Sequence, residues 1–516
     1  MNASIPICFI WHMHQPNYID PTTNIAILPW VRLHAIKDYF DMVQLIMPYK
    51  NIHLTINIVP SLFMQLEKYS SGELTDNYLK LTKTPADKLT SDQKIFLLQN
   101  FFQCHWNKVI KPYPRYWELL QKRGHSRNAA IMIKNWDTQD FLDLQIWFNL
   151  SWFGNYSKQT NSYIISLIKK GTHFSEDDKD GLIHHQFNII NKIIPLYKQM
   201  AKDGRIELSI SPVNHPIMPL LCNSDIAKEA DSELTDIPNI RMPNDCQAQL
   251  TQAIDYCKTT FGIQPVGVWP PELAISNDVL DLVSSSEINW IITDERLNTK
   301  NKGSILQYRN SNLKVIFRNN EISNRIGFKY KQFSVKRAVS DFVTYVLDHS
   351  KSTKDNSLLT IALDGENAWE HYYHNGWTFL NNLYSEINNH PHLCAQTISE
   401  TLNHKTRFDT LDSITPGSWI NQNFNIWIGH KEDHRAWEMI LAAKKAIDHS
   451  RNNQKNQALQ SLHVAEGSDW TWWFGPEHHA DCRAQFDHLF RSYIREVYHH
   501  LNLFPPKLTN TPIIRQ

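Results

Sequence analysis

The sequence predicts an α/β barrel of parallel strands followed by a helical region, and three observations carry that prediction. Seven short apolar runs, beginning near residues 7, 53, 206, 265, 290, 313 and 358, alternate with helical stretches, the pattern of a parallel sheet. Six of the seven stop at a polar or charged residue, so a closed or nearly closed barrel would gather those ends at its carboxyl face. Past about Tyr384 the strand pattern disappears and long helical segments take over.

Taken in order, Ile7 to Trp11 is an apolar run that breaks into His12-Met13-His14-Gln15-Pro16. His53 to Ile58 alternates and stops at Val59-Pro60-Ser61, where Leu62 to Leu66 turns helical. Aromatic-rich segments of helical period between about residues 91 and 202 read as a helical insertion between the second and third strands. Ile206 to Ile210 ends at Ser211-Pro212-Val213-Asn214-His215-Pro216, and a helix spans Asp245 to Lys258. Pro265 to Trp269 runs into Pro270-Pro271-Glu272, Trp290 to Thr293 meets Asp294, and Leu313 to Phe317 meets Arg318. Leu358 to Leu363, apolar but for Thr360, breaks at Asp364-Gly365-Glu366. Residues 1 to 384 therefore form the expected barrel domain, and 385 to 516 a helical domain with helices at Trp437 to His449, Gln454 to Glu466 and Ala480 to His499. Its loops are rich in indole and acid, with Trp419, Trp427, His430 and the run Glu466-Gly-Ser-Asp469-Trp470-Thr-Trp472-Trp473.

Composition narrows the partner. Lys+Arg of 52 balances Asp+Glu of 52 with no long like-charge run, so neither nucleic acid nor a membrane surface is expected. Seven cysteines without a Cys-x-x-Cys pair argue against a disulfide framework or a structural zinc site, and fit a reducing compartment. The N-terminus has no basic leader and no run of about 18 apolar residues occurs, which makes the cytoplasm the expected location. Seventeen tryptophans and 19 tyrosines exceed core needs and suit a groove where sugar rings stack.

Cleavage of a glycosidic bond needs one carboxyl kept protonated to donate to the leaving oxygen, and a second, ionised, to attack or to activate water. Glu272 and Asp364 each close a strand-like run near a tryptophan, Trp269 and Trp369, and can divide these roles; chain order does not say which takes which. A neighbouring acid such as Glu366, with burial among indoles, would raise the pKa of the donor. His12, His14 and His215 each offer one donor and one acceptor nitrogen to sugar hydroxyls. Each feature has a plainer use. A lone strand-end carboxylate is usually a cap or a surface charge, and the C-terminal indoles serve equally well to seal two domains together.

Set in order, the His12 to Pro16, Ser211 to Pro216, Gly267 to Glu272 and Asp364 to Glu370 motifs, with the later Trp419 to His430 block, resemble glycoside hydrolase family 57 over nearly the whole chain. The resemblance implies a (β/α)7 barrel, an incomplete TIM-like barrel, with a C-terminal helical domain that completes the active site. It implies retaining chemistry on α-glucans, with Glu272 the nucleophile and Asp364 the general acid and then base. It sets His12, His14, His215, Trp269, Glu366 and Trp369 around the sugar at the cleavage point, and Trp419, Trp427, His430, Asp469 and Trp470 are the substrate contacts expected from the C-terminal region. A retaining enzyme holds its two carboxyls about 5 to 6 Å apart, against ~6.5 to 9.5 Å in an inverting one.

The form Asp364-Gly365-Glu366-Asn367-Ala368-Trp369-Glu370 resembles the α-amylase and amylopullulanase branch more than the branching enzymes and 4-α-glucanotransferases. His430 departs from the glutamate frequent in amylopullulanases, which leaves open whether α-1,6 links are cut besides α-1,4. The expected partner is an α-glucan or maltooligosaccharide, and no cofactor is expected. Two readings from other classes compete. His-x-His after the first strand and an aspartate after the last can ligate zinc in an amidohydrolase or deacetylase, although the middle strand ends carry no lysine or histidine pair and Arg318 is a poor ligand. A glucan-binding protein without turnover would be expected to lack one of the two carboxylates, and both are here.

Overall fold

The computed structural model describes residues 5–124, 133–298, 303–352, 357–366, 368–451, 453–478 and 480–514; Asn367 of the fourth motif lies outside them. The seven expected strands are Ile5–Met13, Leu54–Ile58, Ile206–Ile210, Gly267–Val268, Trp290–Asp294, Lys314–Arg318 and Leu359–Asp364. They pair in chain order and in parallel. The last pairs with the first from Ile7 opposite Leu359 to His12 opposite Asp364. Thr360 opposite Arg318 joins the last strand to the sixth and closes the ring, so the architecture is a (β/α)7 barrel.

Two strands differ in length from their apolar runs, for reasons visible in the chain. The first continues through His12 and Met13, because His12 pairs with Asn57 on one side and Asp364 on the other. The fourth shrinks to Gly267–Val268, since Pro265 and Pro270 on either side have no N–H to give a ladder. Gly267 is there because a Cβ would sit 2.0 Å from the Trp290 indole.

The helical insertion is built from Ser91–Asn100, Pro114–Arg123, Thr138–Ser151, Asn155–Thr160, Ser162–Lys170 and Glu176–Lys202. The last of these, 27 residues long, opens on a capping box of Ser175 and Asp178 with three acids in its first turn. Buried Arg32 binds the insertion to the barrel, donating from Nε to Asp76 (2.8 Å) and from Nη1 to Asn149 (3.0 Å) and Gln186 (2.9 Å).

Strands do not stop at Tyr384, which corrects the reading of the pattern there. The helix Trp377–Asn389 runs through that position, Leu393–Ala395 then pairs with Ile5 to Ile7, and Asp409–Leu411 pairs with Leu306–Tyr308. Three-residue strands are too short to leave an alternation. The remaining chain packs as Lys431–His449, Lys455–Ala465 and Arg483–His500. Among the described residues no helix is long and apolar enough to cross a membrane.

Candidate active site

At the carboxyl ends of the strands lies a cavity of about 1170 Å3 whose lining includes His12, His14, Glu272, Asp364, Glu366, Trp419 and Asp469. Strand register brings the first group together. Asp364 and Asn57 flank His12 as its partners on the last and second strands. The imidazole Nδ1 of His12 bonds Asn57 Oδ1 at 2.6 Å, and its ring lies flat on Trp269, centroids 4.7 Å apart. Burial first, and the neighbouring His14 second, push the His12 pKa down to about 3, so the ring stays neutral. With Nδ1–H committed to the asparagine oxygen, Nε2 is left as an acceptor.

His14 and His215 stack 4.0 Å apart beside His12. Each is held by the C-terminal region: His14 Nε2 meets Asp469 Oδ1 at 2.9 Å, and His215 Nδ1 meets Ser468 Oγ at 3.0 Å. His215 sits at φ +57°, and its carbonyl accepts the Ser468 N–H (3.0 Å), so the start of one short helix, Ser468–Trp472, fixes both rings. Burial drives His215 well below the ordinary histidine range, and its Nε2 has no protein partner. One ligand atom each from His14, His215 and Asp469 lies within 4.8 Å of the others, a spacing that a metal ion could span. That set differs from the one expected on the metal reading, since Asp469 stands in it and neither His12 nor Asp364 does.

Glu272 leaves the fourth strand through Pro270-Pro271 in a left-handed conformation, φ +58°, and Leu273 follows at +51°. Two successive non-glycine residues in that region hold only where the surroundings enforce them, and such strain gathers at functional sites. Here the enforcement is a backbone zip: Trp419 N–H donates to Glu272 O (3.2 Å), and Ile275 and Gly417 exchange bonds of 2.8 and 3.2 Å. The same Trp419 donates its indole N–H to Glu272 Oε2 at 2.8 Å. Burial, then the negative Asp364 nearby, raise the Glu272 pKa to about 7 against that bond's pull.

Glu366 is buried, and its Oε1 accepts the Tyr39 hydroxyl at 2.5 Å and the His14 N–H at 3.0 Å. Burial lifts its carboxyl well above the usual range, against the Tyr39 bond and with Asp364 and Asp38 adding to it. Between Asp364 and Glu366, a Cβ on Gly365 would meet Met13 Sδ at 2.3 Å.

Other residues named from sequence stand elsewhere. His215 and Trp269 back the cavity as stacking partners of His14 and His12 and are not on its lining. Trp369, Trp427 and Trp470 are packed in the interior, which corrects their reading as sugar contacts. Trp369 packs edge-on to Trp11 (5.5 Å), Trp427 lies against Trp472 (5.9 Å), and Trp470 lies against Phe486 while bonding Val464 O. His430 is also off the lining; it begins the helix Lys431–His449 and bonds Glu477 at 2.6 Å.

Sequence reasoning passed over the support of Trp419. Fully buried Asp294 accepts from Arg296 Nε (2.8 Å) and Arg318 Nη1 (3.3 Å), the Arg318 guanidinium lies 5.3 Å from the Trp419 ring, and Arg296 donates to Trp419 O. Asp294 and Arg318 were visible as strand ends, but nothing in the chain ties them to position 419. Trp30, Trp152, Phe328, Trp472 and Trp473 also face the cavity, and their richness in aromatics was the only clue.

A parallel barrel with two acids from different strand ends meeting over one groove, rimmed by imidazole and indole, defines a sugar-processing hydrolase of the glycosidase class. The chain belongs to glycosyl hydrolase family 57, whose family model matches residues 8–414. A comparison with curated protein sequences gives no match. Solved structures that share the fold include three with different activities. The family 57 branching enzyme of Thermococcus kodakaraensis has a TM-score of 0.62 at 14% identity, with 96% of this chain and 90% of that one covered. The α-amylase AmyC of Thermotoga maritima has 0.56 at 14%, covering 97% and 93%. The 4-α-glucanotransferase of Thermococcus litoralis has 0.56 at 12%, covering 97% and 60%.

Proposed function

We propose that this enzyme is a retaining α-glucan hydrolase of the α-amylase and amylopullulanase type, with Glu272 as nucleophile and Asp364 as acid and base. The observation that carries the reading is the charge coupling of Glu272 to Asp364 across one cavity. Burial and that charge raise the Glu272 pKa to about 7, so Glu272 gives up its proton near neutrality. The productive arrangement has the proton on Asp364, facing the glycosidic oxygen, and Glu272 ionised under the Trp419 N–H. As Glu272 attacks the anomeric carbon, the bond to the leaving oxygen breaks and that oxygen takes the Asp364 proton. Asp364, now a carboxylate, takes a proton from water, whose oxygen attacks the anomeric carbon and frees Glu272. Neutral His12, whose Nε2 is left to accept, and neutral His215, whose Nε2 has no protein partner, are suited to bond sugar hydroxyls.

Transfer to a second sugar uses the same intermediate and differs only in what attacks it. The aromatic walls favour it as a second reading, because Trp30 and Trp152 from the early chain and Trp472 and Trp473 from the late chain offer stacking faces to an acceptor. Branching enzyme and glucanotransferase are also among the structures that share the fold. A panel of amylose, pullulan and maltotriose decides. Reducing ends released from amylose support hydrolysis, release from pullulan adds α-1,6 cleavage, and a ladder of longer products from maltotriose with little glucose release supports transfer. No product from any of the three would overturn both readings.

A further inference from the structure

We propose that Asp245, His463 and Glu466 form a divalent transition-metal site, of the kind that takes zinc, between the barrel and the C-terminal helices. The three side chains are buried, and one ligand atom from each lies within 4.8 Å of the other two. An ion about 2.0 to 2.2 Å from each of three ligand atoms spans pairs of roughly 3.3 to 4.4 Å, so little contraction is needed.

The hydrogen bonding sorts the ligand atoms from the supporting ones. Asp245 Oδ1 is held by Lys444 Nζ at 2.6 Å, and Oδ2 has no partner. Glu466 Oε2 is held by Gln249 Nε2 at 2.8 Å, and Oε1 has no partner. His463 is 1% exposed, and neither of its ring nitrogens has a partner. Buried polar atoms are almost always bonded, and while a proton shared between Asp245 and Glu466 would satisfy the two carboxyls, His463 with no partner on either nitrogen still needs an account. One oxygen of each carboxylate is oriented by a second contact and the other left open, as in metal centres where outer partners aim the ligands. One imidazole and two carboxylate oxygens suit zinc or cobalt better than calcium or magnesium.

The position gives the ion a structural task. Asp245 belongs to the helix Pro243–Phe261, Lys444 to Lys431–His449 and His463 to Lys455–Ala465. Glu466 lies two residues before the short helix that Ser468 and Asp469 open, and Gln249 also accepts the Asn214 N–H at 3.1 Å, next to His215. An ion here would pin the loops that aim His14 and His215, whatever sugar the groove takes.

Full-length protein stripped with dipicolinate and dialysed against zinc should retain about one ion per chain by elemental analysis. Zinc binding should weaken about tenfold or more in Glu466→Gln and in His463→Gln while persisting in Asp469→Asn. Cobalt should give visible ligand-field bands in wild type that Glu466→Gln lacks. The wild-type melting temperature should fall on stripping and recover with zinc, as ligand linkage requires. Three results would each overturn the proposal: no zinc retained by wild type, which leaves a shared proton between the carboxyls; zinc kept by Glu466→Gln but lost in Asp469→Asn, which assigns the ion to the His14 cluster; or equal zinc-induced melting shifts in wild type, Glu466→Gln and His463→Gln. Wild-type stoichiometry and the cobalt spectrum decide even where a variant does not fold.

Discussion

Glu272 is pulled in two directions, since burial and Asp364 favour its neutral form while the Trp419 N–H favours its anion. As nucleophile Glu272 must be ionised, and it gives up its proton only near pH 7. The rate constant kcat/KM, which reports the free enzyme, should therefore rise through about pH 7 towards a plateau. Trp419→Phe removes a bond to a charged group, so the plateau should drop about tenfold and the acid limb should move to higher pH; a limb that stayed put or moved down would contradict that role for the bond. Glu272→Gln and Asp364→Asn should each abolish release of reducing ends while circular dichroism stays unchanged. The same pKa shift has a stability sign. A carboxyl raised in the folded state stabilises the fold below its ordinary value of 4.5, and that contribution is lost as pH rises through about 7. Glu272→Gln should thus melt higher than wild type at pH 8, by up to an order of 3 kcal/mol, with the difference gone near pH 4. The two acids and the histidines were legible because an apolar run ending in a polar residue is a local pattern. Trp369, Trp427 and Trp470 were not told apart from Trp419, because sequence does not report which face of an element an indole occupies.

At the scale of elements, the strand ends decide where the chemistry can be. Gly365 lets the last strand turn against the first, with Met13 Sδ and His12 O lying where a side chain would go. Gly365→Ala should shift Asp364, and a displacement near 1 Å costs about a hundredfold in kcat; unchanged turnover would show that the turn has slack. The fifth and sixth strands end in a buried ion triad, and Asp294→Asn leaves two guanidiniums facing a neutral amide. That change should lower stability by about 3 kcal/mol, read as a shift in the urea midpoint, and lower kcat/KM as Trp419 loses its support. Seven strands were readable from their runs, and the fourth shortened because flanking prolines, plain in the sequence, cannot pair. The small strands at Leu306–Tyr308, Leu393–Ala395 and Asp409–Leu411 left no trace, being set by the edges they meet and not by their own pattern.

For the molecule as a whole, the late chain is part of the groove. Trp419, Asp469, Trp472 and Trp473 all come from beyond residue 414, where the family match ends, and face the same space as the strand ends. The barrel itself is unevenly sewn. The first and last strands share a long ladder, whereas the last two share one register pair among the described residues. The gap is bridged by other groups: Arg318 Nε donates to Ala362 O (2.9 Å), Asn319 N–H to Thr360 O (2.8 Å), and Ser323 Oγ accepts the Ala362 N–H (3.3 Å). A cylinder with one weak stave boundary should loosen there first on warming, and amide exchange should be fastest along that line. Asp364 stands at the end of the loosening stave, so heating would silence the enzyme some degrees before the rest of the cylinder gives way.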